Sequence, residues 1–544
     1  MTVTNTRLSQ QDPAPVEGRP ATLFILVGVI AFLSGGALLY RGSSDATDVY
    51  EKARRLDSVV TLIADLYVDS LNGAQLYDLA TDGMLRALGD PYTAFLDPAD
   101  LENLRVGTSG SYVGLGIRIE VSDGWITIVT PIADSPAEDA GIDSGDRIVE
   151  VAGESTRGWS SEKAVVALRG DSGTTIELGV ARPGVPEVMR FSLERTRIHV
   201  TSVRHTQLLG DDIGYVELET VSEQSAREVA DAVARLREDG ARKLVLDLRF
   251  NPGGLLSEGI AVADLFLTSG DAIVETRGRV RATSRTYEAQ TAEEWSGMPV
   301  VVLVNEFSAS AAEIIAGALQ DHDRALVLGT ATFGKGVVQT VFRVSRTEAL
   351  RLTTSRWYTP SGRSIHREQR NSSRSRRSRA DSTEVTRQDS TTFRSDAGRV
   401  LRGGGGIRPD VVVEASAQSD AVRRLQRVLG ADIQTLQDVL ASYALEIKAE
   451  DTIAGPSDIV VTPRMRRDLL RRLRERSVAV PLDVWDGASD FVERQLRLRV
   501  LRYVFGREAE MRDQIAADVV VSAAVDLLGR SQTQQELFAA AAGR

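Results

Sequence analysis

Cysteine is absent from the chain, and histidine occurs only four times in 544 residues. The absence of cysteine excludes disulfide scaffolds, cysteine nucleophiles and thiolate zinc sites, and so few histidines argue against a multi-histidine metal centre. Asp and Glu outnumber Lys and Arg by 76 to 65. We therefore expect no nucleic-acid partner, because such proteins are usually basic. The remaining composition, 42% hydrophobic and 26% charged, is typical of a chain that buries hydrophobic cores, and the length predicts three or four domains.

One long apolar run lies near the start of the chain. Residues 21–40 carry no charge, and twenty helical residues span about 30 Å, the thickness of the hydrocarbon core of a bilayer. We expect a single transmembrane anchor there, behind an N-terminal tail of residues 1–20. A cleaved signal peptide is the alternative, but the run is longer than the apolar region of most signals and no Ala-x-Ala site follows at once. The flanking basic residues leave the orientation open.

Beyond this run, the pattern of apolar residues changes from one segment to the next. Residues 48–105 are predicted to be helical, whereas strands and helices alternate between 200 and 365, which predicts an α/β core. The apolar positions at helical spacing in the first of these segments are Val59, Leu62, Ile63 and Leu66.

The segment 367–400 is poor in large apolar side chains. It holds 9 Arg and 7 Ser in 34 positions. Such a segment cannot bury enough surface to offset its ordering entropy, so we predict a disordered insertion. Residues 401–415 are predicted to return to the α/β core, and 416–544 to form a helical C-terminal region. The fold class is therefore multidomain α/β.

Residues 108–196 are predicted to form a compact β-rich domain. Glycines near its start alternate with apolar residues, so that consecutive backbone N–H groups can form a nest for a carboxylate. The strand predicted over 112–121 offers an edge to an extended peptide. The helix over 160–168 would form the other wall, with Val165 and Val166 lining a pocket; the alternative is a glycine-rich hairpin that binds nothing. The candidate contact residues are Tyr112, Val113, Gly114, Leu115, Gly116 and Ile117.

With the sequence SPAEDAGIDSGDRIVEVAG at 135–153, this segment resembles a PDZ domain. The resemblance implies capture of a protein C-terminus.

Three further motifs are placed at the ends of predicted elements. DLRFNPGG at 247–254 runs from a strand into a glycine turn, NEFSASAAE at 305–313 runs from a strand into a helix, and TFGKGVVQ at 332–339 surrounds a lysine. Together they resemble the carboxy-terminal processing proteases, also called tail-specific proteases, which are serine peptidases with a Ser–Lys catalytic pair. The resemblance extends over about residues 50–415. It implies a ClpP/crotonase-like core that needs neither a metal nor a cofactor.

The resemblance places the nucleophile at Ser310, the general base at Lys335 and a third member at Gln339. A serine hydroxyl needs an adjacent base to take its proton. Lysine can serve only as the neutral amine, and burial favours that form by lowering the pKa from about 10.4. A glutamine can hydrogen-bond the neutral amine without adding a negative charge.

The same resemblance predicts an oxyanion hole made of backbone N–H groups. One would come from Ala311, at the start of the helix that follows Ser310, where the helix dipole adds to the effect. The other would come from Gly253 or Gly254. One departure from the family pattern S-A-S-A-S-E is Ala312 in the place of the third serine, which is not the nucleophile.

These residues have other interpretations. Ser310 and Glu313 also fit a capping box, in which the serine only satisfies a helix end. His322 could complete an ordinary Ser-His-Asp triad. Residues 329–335 nearly match a phosphate-binding loop, but Gly336 stands where the metal-binding Ser or Thr would be. The motifs taken together favour the Ser–Lys pair.

We therefore expect a membrane-anchored serine endopeptidase, and the family resemblance, not the flanking charge, implies that its catalytic part is extracytoplasmic. It would bind accessible C-termini of protein substrates through its PDZ domain and cleave through an acyl-enzyme. The alternative is a catalytically idle PDZ scaffold at the membrane, against which the intact Ser310, Lys335 and Gln339 argue. The sequence leaves open whether the C-terminal helices form a homodimer or gate the active site.

Overall fold

The computed structural model describes residues 50–367 and 392–543. The predicted N-terminal tail, the predicted anchor at 21–40 and residues 368–391 of the predicted insertion lie outside the described residues. Within the two described ranges, no helix has both the length and the apolar character needed to cross a bilayer.

Residues up to Pro91 form the first of two compact units. Its described part consists of helix α1, over 50–66, and helix α2 (Gly73–Leu88). The helical period of α1 agrees with the sequence prediction, but its apolar residues are mostly exposed: Leu66 is 76% exposed, whereas Val60 is buried. Periodicity predicts a helix and does not tell whether a partner covers its apolar face.

The second unit begins at Tyr92 with β1 (Ala94–Leu96) and α3 (Pro98–Ser109). The all-helical prediction for 48–105 is therefore wrong at β1, which pairs antiparallel with β18 (Ala349–Tyr358). A strand of three residues has no periodicity of its own, so its conformation depends on a partner that is distant in sequence.

A small β domain follows. Its elements are β2 (Ser111–Gly114), β3 (Ile117–Ser122), β4 (Trp125–Pro131), α4 (Pro136–Asp139), β5 (Arg147–Val151), β6 (Glu154–Ser155), α5 (Ser161–Leu168), β7 (Thr175–Ala181), β8 (Met189–Glu194) and β9 (Thr196–His199). The main sheet has the order β3-β4-β5-β7-β8, so β3 is an edge strand. The prediction of one strand over 112–121 is wrong, because the chain turns at Gly116 (φ +76°) and β2 pairs with β9 instead.

The α/β core is built on a six-stranded sheet. Its elements are β10 (Val203–Leu209), β11 (Ile213–Leu218), α6 (Ser225–Glu238), β12 (Lys243–Asp247), α7 (Leu256–Asp264), β15 (Val300–Val304), α8 (Ala311–Asp321), β16 (Leu326–Gly329) and β21 (Val411–Val412). The strand order is β10-β11-β12-β15-β16-β21, and only β10 runs antiparallel. The predicted α/β core is confirmed. Because the strands from β11 to β21 are parallel, their carboxyl ends meet at one edge, and the three sequence motifs follow there.

A second, antiparallel sheet lies beside this core. It contains β13 (Ala272–Gly278), β14 (Arg285–Glu288) and β17 (Val337–Arg343), with β18 paired to β1, β13 and β17. Trp357 of β18 is buried in the same hydrophobic cluster as the helices α6, α7 and α8. The sheet thus attaches the lysine-bearing loop that precedes β17 to the core.

The C-terminal end of the predicted disordered insertion, residues 392–400, is ordered. Residues of β19 (Thr392–Arg394) and β20 (Val400–Arg402) pair antiparallel. Arg399, between them, forms ion pairs with Asp323 and Asp410. Composition alone does not show such long-range partners, so the prediction of disorder is wrong for residues 392–400.

The C-terminal region is helical, as predicted. Its helices are α9 (Asp420–Leu429), α10 (Ile433–Glu450), α11 (Pro463–Glu475), α12 (Leu482–Gly487), α13 (Ser489–Phe505), α14 (Arg507–Ala516), α15 (Val519–Gly529) and α16 (Gln534–Ala542). The last three pack on the face of the parallel sheet that α6, α7 and α8 leave uncovered. The sheet is therefore buried on both faces, as parallel sheets usually are.

Other C-terminal helices hold the small β domain. The Tyr503 hydroxyl of α13 donates to Glu120 on β3 (2.8 Å), and the Ser442 hydroxyl of α10 donates to Asp123 (2.6 Å). Arg476, at the end of the arginine-rich helix α11, pairs with the same Asp123 (2.6 Å). These bonds fix the position of the small domain in the second unit.

Candidate active site

The predicted nucleophile lies between a strand and a helix at the carboxyl edge of the parallel sheet. Ser310 follows β15 and is the N-cap residue of α8, and every residue of that helix is buried. Its backbone has φ +55°, a conformation that non-glycine residues adopt at a cost of about 1–3 kcal/mol. Such strain occurs mainly at functional sites, and here it sets the serine at the positive end of a helix dipole.

The predicted base lies in the loop between β16 and β17. Lys335 is partly buried, and its Nζ is 5.2 Å from the ring centroid of Tyr92. The indole N–H of Trp357 donates to the carbonyl oxygen of Lys335 (3.0 Å), and the adjacent Gly336 packs against His366 so closely that an added Cβ would lie 2.9 Å from its backbone nitrogen. The loop is thus held from both sides by the antiparallel sheet and the segment after it.

A buried carboxylate joins the serine loop to the lysine loop. Glu313 Oε2 accepts from the backbone N–H of Ser310 (2.8 Å) and of Lys335 (2.9 Å). Its Oε1 accepts from the Thr332 hydroxyl (2.5 Å) and from the Gly334 N–H (2.7 Å). The side chain is completely buried, and burial raises the pKa of Glu313 while the four donors act against that rise.

Sequence reasoning missed this role of Glu313. The capping-box pattern indicated the bond to the Ser310 N–H, but the three bonds to residues 332–335 depend on a loop that only the fold brings near. The bonds show that the backbones of Ser310 and Lys335 approach one oxygen atom, so the loops that carry the two predicted catalytic residues are neighbours.

The predicted oxyanion hole is changed in one respect. The Gly253 N–H donates to Asn251 Oδ1 (2.8 Å), so it is already used. Among the described residues, the N–H groups of Gly254 and Ala311 have no acceptor, and these two fit the role. Gly253 is instead needed for close packing, since an added Cβ would lie 2.8 Å from the Ser310 Cβ.

Gln339, the predicted third member, lies on β17 beside a β-bulge. Its Nε2 is buried and has no acceptor among the described residues, and the hydroxyl of Thr353, its partner across the strand pair, is equally unpaired. A buried donor without a partner is costly. The donor is thus available to a group that enters the site.

The histidine alternative does not fit the geometry. His322 caps the C-terminal end of α8, whereas Ser310 caps its N-terminal end, so about 16 Å of helix separates them. The imidazole is bonded to Asp396 (2.7 Å) and to the Ala272 carbonyl (2.7 Å). The phosphate-loop alternative fails as well, because the loop at 330–336 leads into β17 and not into a helix.

The small β domain has an apolar cavity of about 170 Å³ between β3 and α5. Of the predicted peptide contacts, four line this cavity, whereas Val113 and Gly116 do not; the four are Tyr112, Gly114, Leu115 and Ile117. Val165 lines it too, but the prediction for Val166 is wrong, because its side chain is 78% exposed. One helical turn presents only one of two consecutive residues to a groove.

Comparison with known proteins agrees with this architecture. The model of peptidase family S41 matches residues 212–371, the PDZ domain model matches 127–182, and the model of the N-terminal domain of the activating protease CtpB matches 37–99. A carboxy-terminal-processing protease of Bartonella bacilliformis is 37% identical over 350 residues, 63% of this chain and 79% of that protein.

A second curated relative shows the same relationship. The carboxy-terminal processing protease CtpA of Bacillus subtilis is 34% identical over 358 residues, 64% of this chain and 76% of that protein. The solved structure of the photosystem II D1 C-terminal processing protease is 30% identical in sequence. The match covers 68% of this chain and 90% of that chain, with a TM-score of 0.35.

The matched domains and the two curated relatives define a serine-type endopeptidase with a PDZ domain. The chain belongs to the carboxy-terminal processing proteases of peptidase family S41, which confirms the resemblance found in the sequence.

Proposed function

We propose that the protein cleaves polypeptides by a Ser–Lys mechanism after binding their C-termini. The observation that carries the proposal is the shared carboxylate of Glu313, which bonds the backbones of Ser310 and Lys335. This arrangement places a serine at a helix N-terminus and a lysine on the neighbouring loop. No such arrangement is needed in a scaffold that only binds peptides.

In the proposed reaction, Lys335 as the neutral amine takes the proton of Ser310 Oγ while that oxygen attacks the scissile carbonyl carbon. The N–H groups of Ala311 and Gly254 stabilise the resulting oxyanion, and one such donor contributes about 3 kcal/mol to the transition state. The C–N bond then breaks, and the lysine returns the proton to the leaving amine. Water hydrolyses the acyl-enzyme by the same steps, with Lys335 again as the base.

Gln339 would assist the base. Its amide oxygen can accept an N–H of the lysine amine and so leave the single lone pair of the neutral amine directed at the Ser310 hydroxyl. Because the amide carries no charge, it does not hold the lysine as the ammonium, as a carboxylate would.

The PDZ domain would bind the substrate's C-terminal segment. β3 is an edge strand, so an extended tail can add to it through main-chain hydrogen bonds. The cavity between β3 and α5, with Leu115 and Ile117 in its wall, would accept an apolar terminal side chain. The tail would then direct the upstream polypeptide to Ser310.

The membrane anchor, the extracytoplasmic location of the catalytic part and a homodimer belong to the same proposal. The charge-free run at 21–40 supports the anchor. The exposed apolar residues of α1, such as Leu62 and Leu66, support contact with a second copy. Fractionation of cells that express the full chain, followed by protease protection of the C-terminal region, tests the anchor and its orientation. Sedimentation of the chain without residues 1–40 tests the dimer.

Fragment mapping tests the activity. The wild type and the Ser310→Ala and Lys335→Ala variants are incubated with an unfolded protein, and the products are read by mass spectrometry. We expect fragments with the wild type only, at a rate that grows as the pH rises and the lysine becomes neutral. Absence of fragments with the wild type at alkaline pH would favour the PDZ scaffold. Equal turnover in Lys335→Ala would exclude the lysine as the base.

A further inference from the structure

Two phenylalanines beside the nucleophile are exposed and stacked on each other. Phe250 is 66% exposed and Phe307 is 55% exposed. Their ring centroids are 5.4 Å apart with 18° between the planes. Large apolar side chains that lie together at the surface mark binding sites more often than isolated ones do.

The pair belongs to the catalytic loops. Phe250 precedes Gly253 by three residues, and Phe307 precedes Ser310 by the same number. The backbone N–H groups of both phenylalanines donate to the same atom, Asn305 Oδ1, at 3.0 and 3.1 Å. The stacked rings are thus fixed to the loops that carry the nucleophile and the oxyanion hole.

The lysine loop adds a third exposed aromatic side chain. Phe333 precedes Lys335 by two residues, is 39% exposed, and its N–H donates to the Ser308 carbonyl (3.0 Å). Each of the three loops therefore exposes a phenylalanine within about four residues of a predicted site residue, namely Gly254, Ser310 or Lys335.

Phe250 is held in an unfavourable backbone conformation. Its φ is +61°, which a side chain with a Cβ adopts rarely and which asparagine or glycine adopts at lower cost. Strain of this kind persists where the surrounding structure enforces it, and it clusters at active sites. An exposed ring on a strained backbone does not by itself stabilise the fold, so another role is expected for Phe250.

We infer that Phe250 and Phe307 form a subsite that binds an apolar side chain of the polypeptide substrate next to the scissile bond. This inference rests on the proposed function and adds a specificity to it. The rings would cover the apolar side chain on one side and leave a polar side chain poorly solvated. Substrates with an apolar residue at that position would then be cleaved faster than those with serine.

Peptide pairs test the subsite. Once fragment mapping has located a cleavage site, peptides with leucine or serine on either side of the scissile bond are compared by kcat/KM. We expect the wild type to prefer leucine at one flank. Phe250→Asn and Phe307→Ser should each reduce that preference roughly three- to tenfold, the value of one aromatic contact, mainly through KM.

The choice of Phe250→Asn separates binding from folding, because asparagine tolerates the positive φ and should leave the urea midpoint equal or higher. Phe342→Asn is the matched control, since this phenylalanine on β17 is 47% exposed and lies seven residues beyond Lys335. It should leave the preference unchanged.

An unchanged preference in the Phe250→Asn, Phe307→Ser double variant would overturn the inference while leaving the proposed function intact. A change in sedimentation of that variant without a change in preference would make the pair a contact between copies, and would also overturn it. If the wild type cleaves no peptide, the proposed function fails first, and the inference fails with it.

Discussion

The Glu313→Gln substitution tests whether one carboxylate joins the two catalytic loops. A glutamine keeps the size of the side chain but replaces one acceptor oxygen with an NH₂ group, which cannot accept from an N–H. If the NH₂ takes the Oε2 position, the N–H groups of Ser310 and Lys335 both lose their acceptor. If it takes the Oε1 position, the Gly334 N–H is the one backbone group that loses its acceptor, and the Thr332 hydroxyl must turn its proton away and accept from the NH₂ instead.

The second orientation is therefore preferred, and its cost can be given. One buried N–H left without an acceptor costs about 1–3 kcal/mol. We expect Glu313→Gln to reduce the free energy of unfolding by about that amount. Turnover should fall by no more than about tenfold, because the bonds to Ser310 and Lys335 are kept. Glu313→Ala leaves three backbone N–H groups without an acceptor, at about 3–9 kcal/mol, which is comparable to the stability of a whole domain.

Urea unfolding and peptide turnover at one pH measure both effects. Glu306→Gln is the matched control, since Glu306 also accepts from a threonine hydroxyl, that of Thr330 (3.1 Å), but at the surface. Its free energy of unfolding should change by less than about 0.5 kcal/mol. The reasoning is refuted if Glu313→Gln is as stable as the wild type, or if Glu313→Ala is as stable as Glu313→Gln.

Three further substitutions separate the catalytic pair from its surroundings. Lys335→Ala should lower kcat about a thousandfold or more with the fold retained, whereas His322→Ala should leave kcat within about threefold; the reverse result in a peptide assay would restore the histidine triad. Gly254→Ala should destabilise the protein, because the added Cβ would lie 1.9 Å from the Val221 carbonyl oxygen; circular dichroism of a fully folded, active variant would contradict this. Burial lowers the pKa of His322, but its bonds to a backbone carbonyl and to Asp396 outweigh burial and leave it raised. The two bonds of the protonated His322 imidazole therefore stabilise the fold below pH 6.5, and this stabilisation is lost as the pH rises through the raised pKa. The stability lost in His322→Ala should accordingly be larger at pH 5.5 than at pH 9, and equal losses would contradict the sign.

Local patterns were sufficient for much of the fold and for the residues of the predicted site. The run of five apolar residues in β15 and the serine that follows it predicted a strand ending at a helix N-terminus. The motif at 247–254 predicted a strand that runs into a glycine turn, and β12 ends at Asp247. These features depend on neighbours in sequence, so they can be recognised without the fold.

Where the patterns failed, a distant partner decided the conformation. β1 is a strand because β18 pairs with it, and residues 392–402 are ordered because Arg399 meets Asp323 and Asp410. Composition and periodicity describe a segment alone, so neither could show these contacts.

The sequence by itself determined which residues carry the proposed chemistry and which of them lie at the ends of strands and helices. Only the tertiary structure decided that Glu313 holds the serine and lysine loops together, that Asn251 occupies the Gly253 N–H, and that α14, α15 and α16 cover the second face of the sheet. The physical reason is that a buried polar atom or an apolar face is stable only with its partner. The chain's topology, which no local pattern contains, determines which partner comes near.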